Sequence, residues 1–92
     1  MTKSELIEKI AAKNPNLMVK DVEKIVNVIL NKIISTLANG DRVEFRGFGT
    51  FAVHVRAPRV AKNPRTGEQI KIGERKITHF KVGKELHKML NQ

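Results

Sequence analysis

Between Val19 and Ala38 the sequence offers a helix whose apolar surface is too broad for the rest of the chain to cover. Val22, Ile25, Val26, Ile29, Ile33 and Leu37 recur at helical spacing and form one stripe. Val28, Leu30 and Ile34 widen it well beyond that stripe. The preceding segment is a shorter amphipathic helix. Thr2 and Glu5 fit a capping box, Leu6, Ile7, Ile10 and Ala11 share a face, and Asn14-Pro15 stops the helix. Such a helix is too short to cover its neighbour, and a chain of 92 residues buries little surface alone. The reading is therefore an intimate dimer, homodimeric or heterodimeric. The alternative is a sheet that covers the helix within one monomer. Asn39-Gly40 closes the long helix, because Gly takes the left-handed cap freely. The start lacks a good cap, with Asp21 inside the first turn.

Past Gly40 the period changes from helical to alternating. Arg42–Arg46 and Thr50–Arg56 read as half-buried strands joined by Gly47-Phe48-Gly49, with Phe51, Val53 and Val55 on one face. Residues 56–76 hold only Val60, Ile70 and Ile72 as larger apolar residues. They have little with which to join a core. Asn63-Pro64-Arg65-Thr66-Gly67 is turn chemistry, so this stretch reads as a β-ribbon with its tip near Asn63-Pro64. An isolated two-stranded hairpin is marginal in water, and the ribbon is expected to be mobile when free. Ile70 and Ile72 are even-numbered and Ile77 is odd, so the face switches near Gly73, as at a bulge or bend. Leu86, Met89 and Leu90 after Gly83 suggest a short terminal helix.

Charge follows this division. The 18 Lys and Arg exceed the 9 Asp and Glu, for a net +9. Residues 1–40 carry a net +2 and residues 41–92 a net +7. Seven bases and two acids fall between Arg56 and Lys76. A basic excess of this size calls for a polyanionic partner, most often nucleic acid. The absence of Cys excludes disulfides and thiolate metal sites. His54, His79 and His87 have no metal-motif spacing, and Ser4 and Ser35 have no placed base, so neither a metal nor a catalytic site is expected. Gly47-Phe48-Gly49 lacks the third glycine and following helix of a dinucleotide loop. No cofactor, small-molecule substrate or membrane partner is expected, since no apolar run reaches the ~18 residues of a span. The first residues carry no secretory signal, and a cytoplasmic location is the simplest expectation.

A basic two-stranded ribbon is narrow enough to follow a nucleic-acid groove, and a proline at its tip can wedge between base pairs. The plainer reading is that Pro64 shapes a turn and the bases keep an exposed hairpin solvated.

Four stretches give this chain a resemblance. They are Arg46-Gly47-Phe48-Gly49-Thr50-Phe51, Arg56-Ala57-Pro58-Arg59, Asn63-Pro64-Arg65-Thr66-Gly67 and His79-Phe80-Lys81-Val82-Gly83-Lys84-Glu85-Leu86. In order and spacing the whole chain resembles the bacterial HU and integration host factor family of DNA-bending proteins. Its opening Met1–Glu8, with Glu44, Arg46, His54 and the segment 56–59, is most similar to the β-subunit branch of integration host factor. One departure is Ala61-Lys62, where the family commonly has Gly-Arg.

The resemblance implies an α+β fold. It comprises two N-terminal helices, a three-stranded antiparallel sheet with a protruding β-ribbon arm, a short C-terminal helix, and an intertwined dimer. Residues 1–92 form a single DNA-binding domain, with a helical dimerisation half at 1–40 and the sheet, arm (about 56–76) and terminal helix at 41–92. Pro64 is implied as the intercalating wedge, flanked in the minor groove by Arg59, Lys62, Asn63 and Arg65. Arg56, Lys71, Arg75 and Lys76 neutralise phosphates along the arm stem. Arg46, beside Gly47 and held by Glu44, reaches the minor groove; the plain alternative is a surface ion pair worth ~0–1 kcal/mol. Lys3-Ser4 and Gly83-Lys84 mark helix starts that either cap phosphates or are merely capped. Ile29, Ile33, Leu37, Phe48, Phe51 and Phe80 serve core or dimer contacts, and His54 and His79 are strand-surface residues near DNA, the alternative being that they act as switches.

The implied partners are double-stranded DNA and a second subunit, either an integration host factor α-like chain or a second copy. The implied outcome is a sharp bend used in recombination, replication, chromosome condensation and the regulation of transcription and translation, in the cytoplasm at the nucleoid. An HU-type homodimer with little sequence preference is the other member of the same family to weigh.

Overall fold

A computed structural model describes residues 1–92. The chain divides into two compact units, Met1–Ser35 and Thr36–Gln92.

The first unit holds helix α1, Lys3–Lys13, and most of helix α2, Val19–Ala38. Thr2 caps α1, its Oγ1 accepting the Glu5 N–H at 3.2 Å. Asn14 closes the helix ahead of Pro15, its side-chain amide donating to the Ile10 carbonyl at 2.8 Å. The N-terminus of α2 is better capped than its sequence suggests. The Asp21 carboxylate reaches back to accept the Met18 N–H at 3.4 Å, while the Met18 carbonyl accepts from Asp21 and Val22. Asp21 thus supplies the return half of a capping box whose first residue is unconventional. The core of this unit is Ile7, Val22 and Val26, with Ile10 and Ala11 packed against it. These are the only buried hydrophobic side chains of the chain. Ile25, Val28, Ile29 and Ile34 remain exposed, Val28 at 68% and Ile34 at 63%.

The second unit begins with the end of α2. Gly40 takes φ +82°, its N–H donates to Leu37 and the Asp41 N–H donates to Thr36. These two bonds are the Schellman pattern that satisfies orphan carbonyls at a helix end. Three strands follow as an antiparallel sheet in the order β1, β2, β5: Val43–Phe45, Gly49–Arg56 and Arg75–Val82. Strands β3 (Arg59–Lys62) and β4 (Gln69–Ile72) pair separately as a two-stranded ribbon. The ladder is interrupted by Ala57-Pro58 on one side and Gly73-Glu74 on the other. Both sides lose two residues, so Arg56↔Arg75 and Arg59↔Ile72 keep one register. The expected change of face at Gly73 is thus a bend without an inserted residue, and Pro58, with no N–H to give a ladder, stands at it.

The β1–β2 connection is a turn closed by Phe48 N–H to Phe45 C=O at 3.0 Å, with Gly47 at φ +86°. Helix α3, Lys84–Leu90, is tied to this turn. Gly83 N–H donates to Phe48 C=O at 2.8 Å and Leu86 N–H to Gly47 C=O at 3.2 Å. Phe45, Phe48, Phe51 and Phe80 form a chain of tilted rings with centroids 4.7–6.4 Å apart. None of the four is fully buried, so within one chain Phe48, Phe51 and Phe80 form a half-open aromatic cluster.

Candidate nucleic-acid interface

Successive strand residues point to opposite faces, and residues paired across an antiparallel ladder share a face. On β2 and β5 this places Phe51, Val53, Val55, Phe80 and Val82 on one side. Thr50, Ala52, His54, Arg56, Arg75, Ile77, His79 and Lys81 occupy the other. One face is therefore apolar and aromatic, and the other carries three permanent cations and two imidazoles.

Arg56 and Arg75 are direct cross-strand partners, and both are exposed. Like charges in that position oppose pairing. An anion lying over them would remove the repulsion. Arg59 joins them: Arg56, Arg59 and Arg75 line one concavity at the root of the ribbon together with Ile72 and Ile77. The bend at residues 57–58 and 73–74 brings the Arg59–Ile72 pair beside the basic face.

Lys76 does not belong to this group. It is the partner of Val55 and lies on the apolar face, because residues 75 and 76 must alternate. On the ribbon, Arg59, Ala61, Ile70 and Ile72 share one face and Val60, Lys62, Gln69 and Lys71 the other. Its cations thus flank the ribbon on both sides.

The tip is organised by Asn63. Its N–H donates to the Glu68 carbonyl at 2.8 Å, its carbonyl accepts the Gly67 N–H at 2.7 Å, and its side-chain oxygen accepts the Arg65 N–H at 2.9 Å. Gly67 supplies the positive φ, +74°, that the closure requires. Pro64 and Arg65 stand exposed at the apex. The Asn63 side chain is engaged in holding the turn, which makes it a positioning group for Pro64.

Glu44 pairs with Arg42 at 3.6 Å, not with Arg46 as the i, i+2 spacing suggests. The reason is local: Arg46 lies in the turn after β1 and has left the alternation that would align it with Glu44. At Lys84 the start of α3 donates its Leu86 N–H to the Gly47 carbonyl, so that orphan donor serves the fold. Lys3 and Ser4 begin α1 in the other unit.

Two features of this face were not read from the sequence. Lys81 falls on it through its pairing with Thr50, and His54 and His79 meet, their ring centroids 5.5 Å apart and nearly perpendicular. The signal for both was the parity of residue numbers in β2 and β5, which identifies a shared face only once the register is known.

A family model described as bacterial DNA-binding protein matches residues 1–91. The chain is 50% identical over 91 residues to integration host factor subunit beta of Aeromonas hydrophila, covering 99% of this chain and 97% of the relative. It is 51% identical over 86 residues to the same subunit of Mannheimia haemolytica, covering 94% and 92%. Among solved structures it is similar to an Anabaena HU–DNA cocrystal structure, with TM-score 0.85, 30% identity, and coverage of 98% of this chain and 97% of that one.

Proposed function

The chain belongs to the bacterial DNA-binding protein family, that of HU and integration host factor, and on that premise we propose that it is an architectural protein that binds the minor groove of duplex DNA and bends it sharply. The observation that carries this reading is the ribbon Arg59–Lys62/Gln69–Ile72, flanked by cations and holding Pro64 exposed at an apex fixed by Asn63. The family is one of architectural DNA-binding proteins, not of enzymes.

The mechanism follows from charge and shape. Arg56, Arg59 and Arg75 at the ribbon root, with Lys62 and Lys71 along it, neutralise phosphates and release counterions. Pro64 has a rigid ring without an N–H donor, and it enters a base step as an apolar wedge, with Arg65 beside it in the groove. Unstacking costs a few kcal/mol per step and bending a site costs about 1–6 kcal/mol. Both are offset by the phosphates that bent DNA brings onto the basic surface. Specificity arises mainly from DNA deformability, with Arg46 in the minor groove as the supporting contact.

The functional unit is a dimer. Exposed Ile25, Val28, Ile29 and Ile34, with half-buried Ile33 and Leu37, form the surface for a second subunit. Identity of 50–51% to integration host factor subunit beta, against 30% to the Anabaena HU, supports an integration host factor α-like partner over a second copy. Acting at the nucleoid in the cytoplasm, the bend brings distant sites together in recombination, replication and the control of transcription.

The test is Pro64→Ala, with the bend read by energy transfer between the ends of a labelled duplex and affinity read across a salt series. The variant keeps most salt-dependent binding and loses bend angle. An unchanged bend removes the wedge assignment, and equal affinity for structured RNA and duplex DNA at the same salt removes the reading itself.

A further inference from the structure

We propose that His54 and His79 together form a proton-linked phosphate site, which takes a backbone phosphate of duplex DNA between two protonated rings and makes DNA affinity depend on pH. The proposal rests on the DNA-bending reading above and extends it to two side chains that reading does not use.

The two rings come from different strands. In the β2–β5 register His54 is opposite Ile77 and His79 is opposite Ala52, so the histidines are diagonal neighbours on the basic face. Diagonal positions lie within reach of aromatic side chains. Here the ring centroids are 5.5 Å apart at an interplanar angle of 78°. Both residues are exposed and line an open concavity with Val55, Arg56 and Ile77. Charge-assisted N–H···O⁻ bonds are about 2.7–2.9 Å long. A backbone phosphate has two free oxygens, one to offer each ring.

The surroundings determine what protonates them. Along β2 the next residue on this face is Arg56; along β5, Lys81 follows His79 and Arg75 precedes Ile77. The acid contributed by β1 is Glu44, which stands across from Thr50 and is engaged with Arg42. The direct partners of the two histidines, Ile77 and Ala52, are apolar. The charge that favours two positive rings side by side must therefore come from a bound anion. Imidazole is the side chain that changes charge between pH 5 and 8. Binding to a phosphate and uptake of a proton are then linked, and each favours the other. The concavity adjoins Arg56, so the site continues the phosphate track of the ribbon root.

The experiment measures duplex affinity by fluorescence anisotropy over a salt series at pH 6 and pH 8, for the wild type and His54→Gln/His79→Gln. Each added phosphate contact steepens the dependence of log K on log salt by about 0.9. The wild-type slope is therefore steeper at pH 6 by up to about 0.9, and the double variant has the pH 8 slope at both. His87→Gln, on α3, retains the wild-type difference and shows that a histidine elsewhere does not produce it. Thermal melts at both pH values establish that the double variant is folded, and each single variant retains about half of the effect. Equal wild-type slopes at pH 6 and pH 8 overturn the proposal, as does a pH dependence that survives in the double variant. Failure of the DNA-bending reading gives a different result: structured RNA and duplex DNA bind with equal affinity at the same salt, whatever the pH dependence.

Discussion

Arg75→Gln should stabilise the protein and weaken its hold on DNA. Arg56 and Arg75 face each other directly across β2 and β5, and both are exposed. Cross-strand pairs contribute about 0.2–1 kcal/mol, and directly opposed like charges carry the unfavourable sign. Neutralising one guanidinium removes that repulsion, so the gain is about 0.2–1 kcal/mol at low salt. For a chain of this size that is about 1–8 °C in melting temperature. The gain fades as salt rises, because a Debye length of about 10 Å at 0.1 M screens exposed charges.

The DNA side moves the other way. One lost phosphate contact lowers the slope of log K against log salt by about 0.9. The assays are thermal melts at low and high salt, with protein concentration fixed because subunit association contributes to the melting temperature, and anisotropy titrations over the same salts. Arg75→Lys is the control, since it retains the charge and should retain both the instability and the slope. A variant that is less stable with an unchanged slope refutes the reasoning, because Arg75 would then be holding the sheet, its stem packed along Ile77, rather than waiting for a phosphate.

The remaining predictions concern packing. Ile34→Glu, at a position 63% exposed on α2, should leave the helical unit folded. Loss of about 1.5–3 kcal/mol of burial should raise the dimer dissociation constant at least about tenfold, as read by sedimentation. Gly49→Ala should cost about 1–3 kcal/mol in denaturant unfolding, since a Cβ there meets the Phe80 ring at 2.5 Å and the Lys81 carbonyl at 2.6 Å. Gly73→Ala, with nothing within 4 Å, should be neutral or stabilise by up to about 1 kcal/mol in the same measurement.

What could be read from the sequence depended on how local the cause was. The limits of α2 and its cap at Gly40 were legible because periodicity, Asn39-Gly40 and helix-end hydrogen bonding all act within a few residues. The ribbon tip was legible for the same reason: Asn63, Pro64 and Gly67 carry their turn chemistry with them. The cap by Asp21 was missed because its partner is the backbone of Met18, a residue with no capping side chain of its own. The i, i+2 spacing offers Glu44 two partners, Arg42 and Arg46, and sequence alone does not say that the pair at 3.6 Å is the one with Arg42.

The basic face was the least legible part, and the reason is physical. Composition gives the amount of charge, but only register tells which charges face the same way. Lys76 carries the same charge as Arg75 and lies on the opposite side. Lys81, five residues further on, returns to the Arg75 side. Register is fixed by which face must be buried, and here that is the face of Phe51, Val53, Phe80 and Val82. The aromatic side of the sheet therefore decides which cations are offered on the other side. It sets Arg56 against Arg75, an arrangement that cross-strand electrostatics alone would disfavour. Apolar packing can hold such pairs in place because repulsion between exposed charges is weak in water, whereas a phosphate brought onto them meets positive charges already aligned.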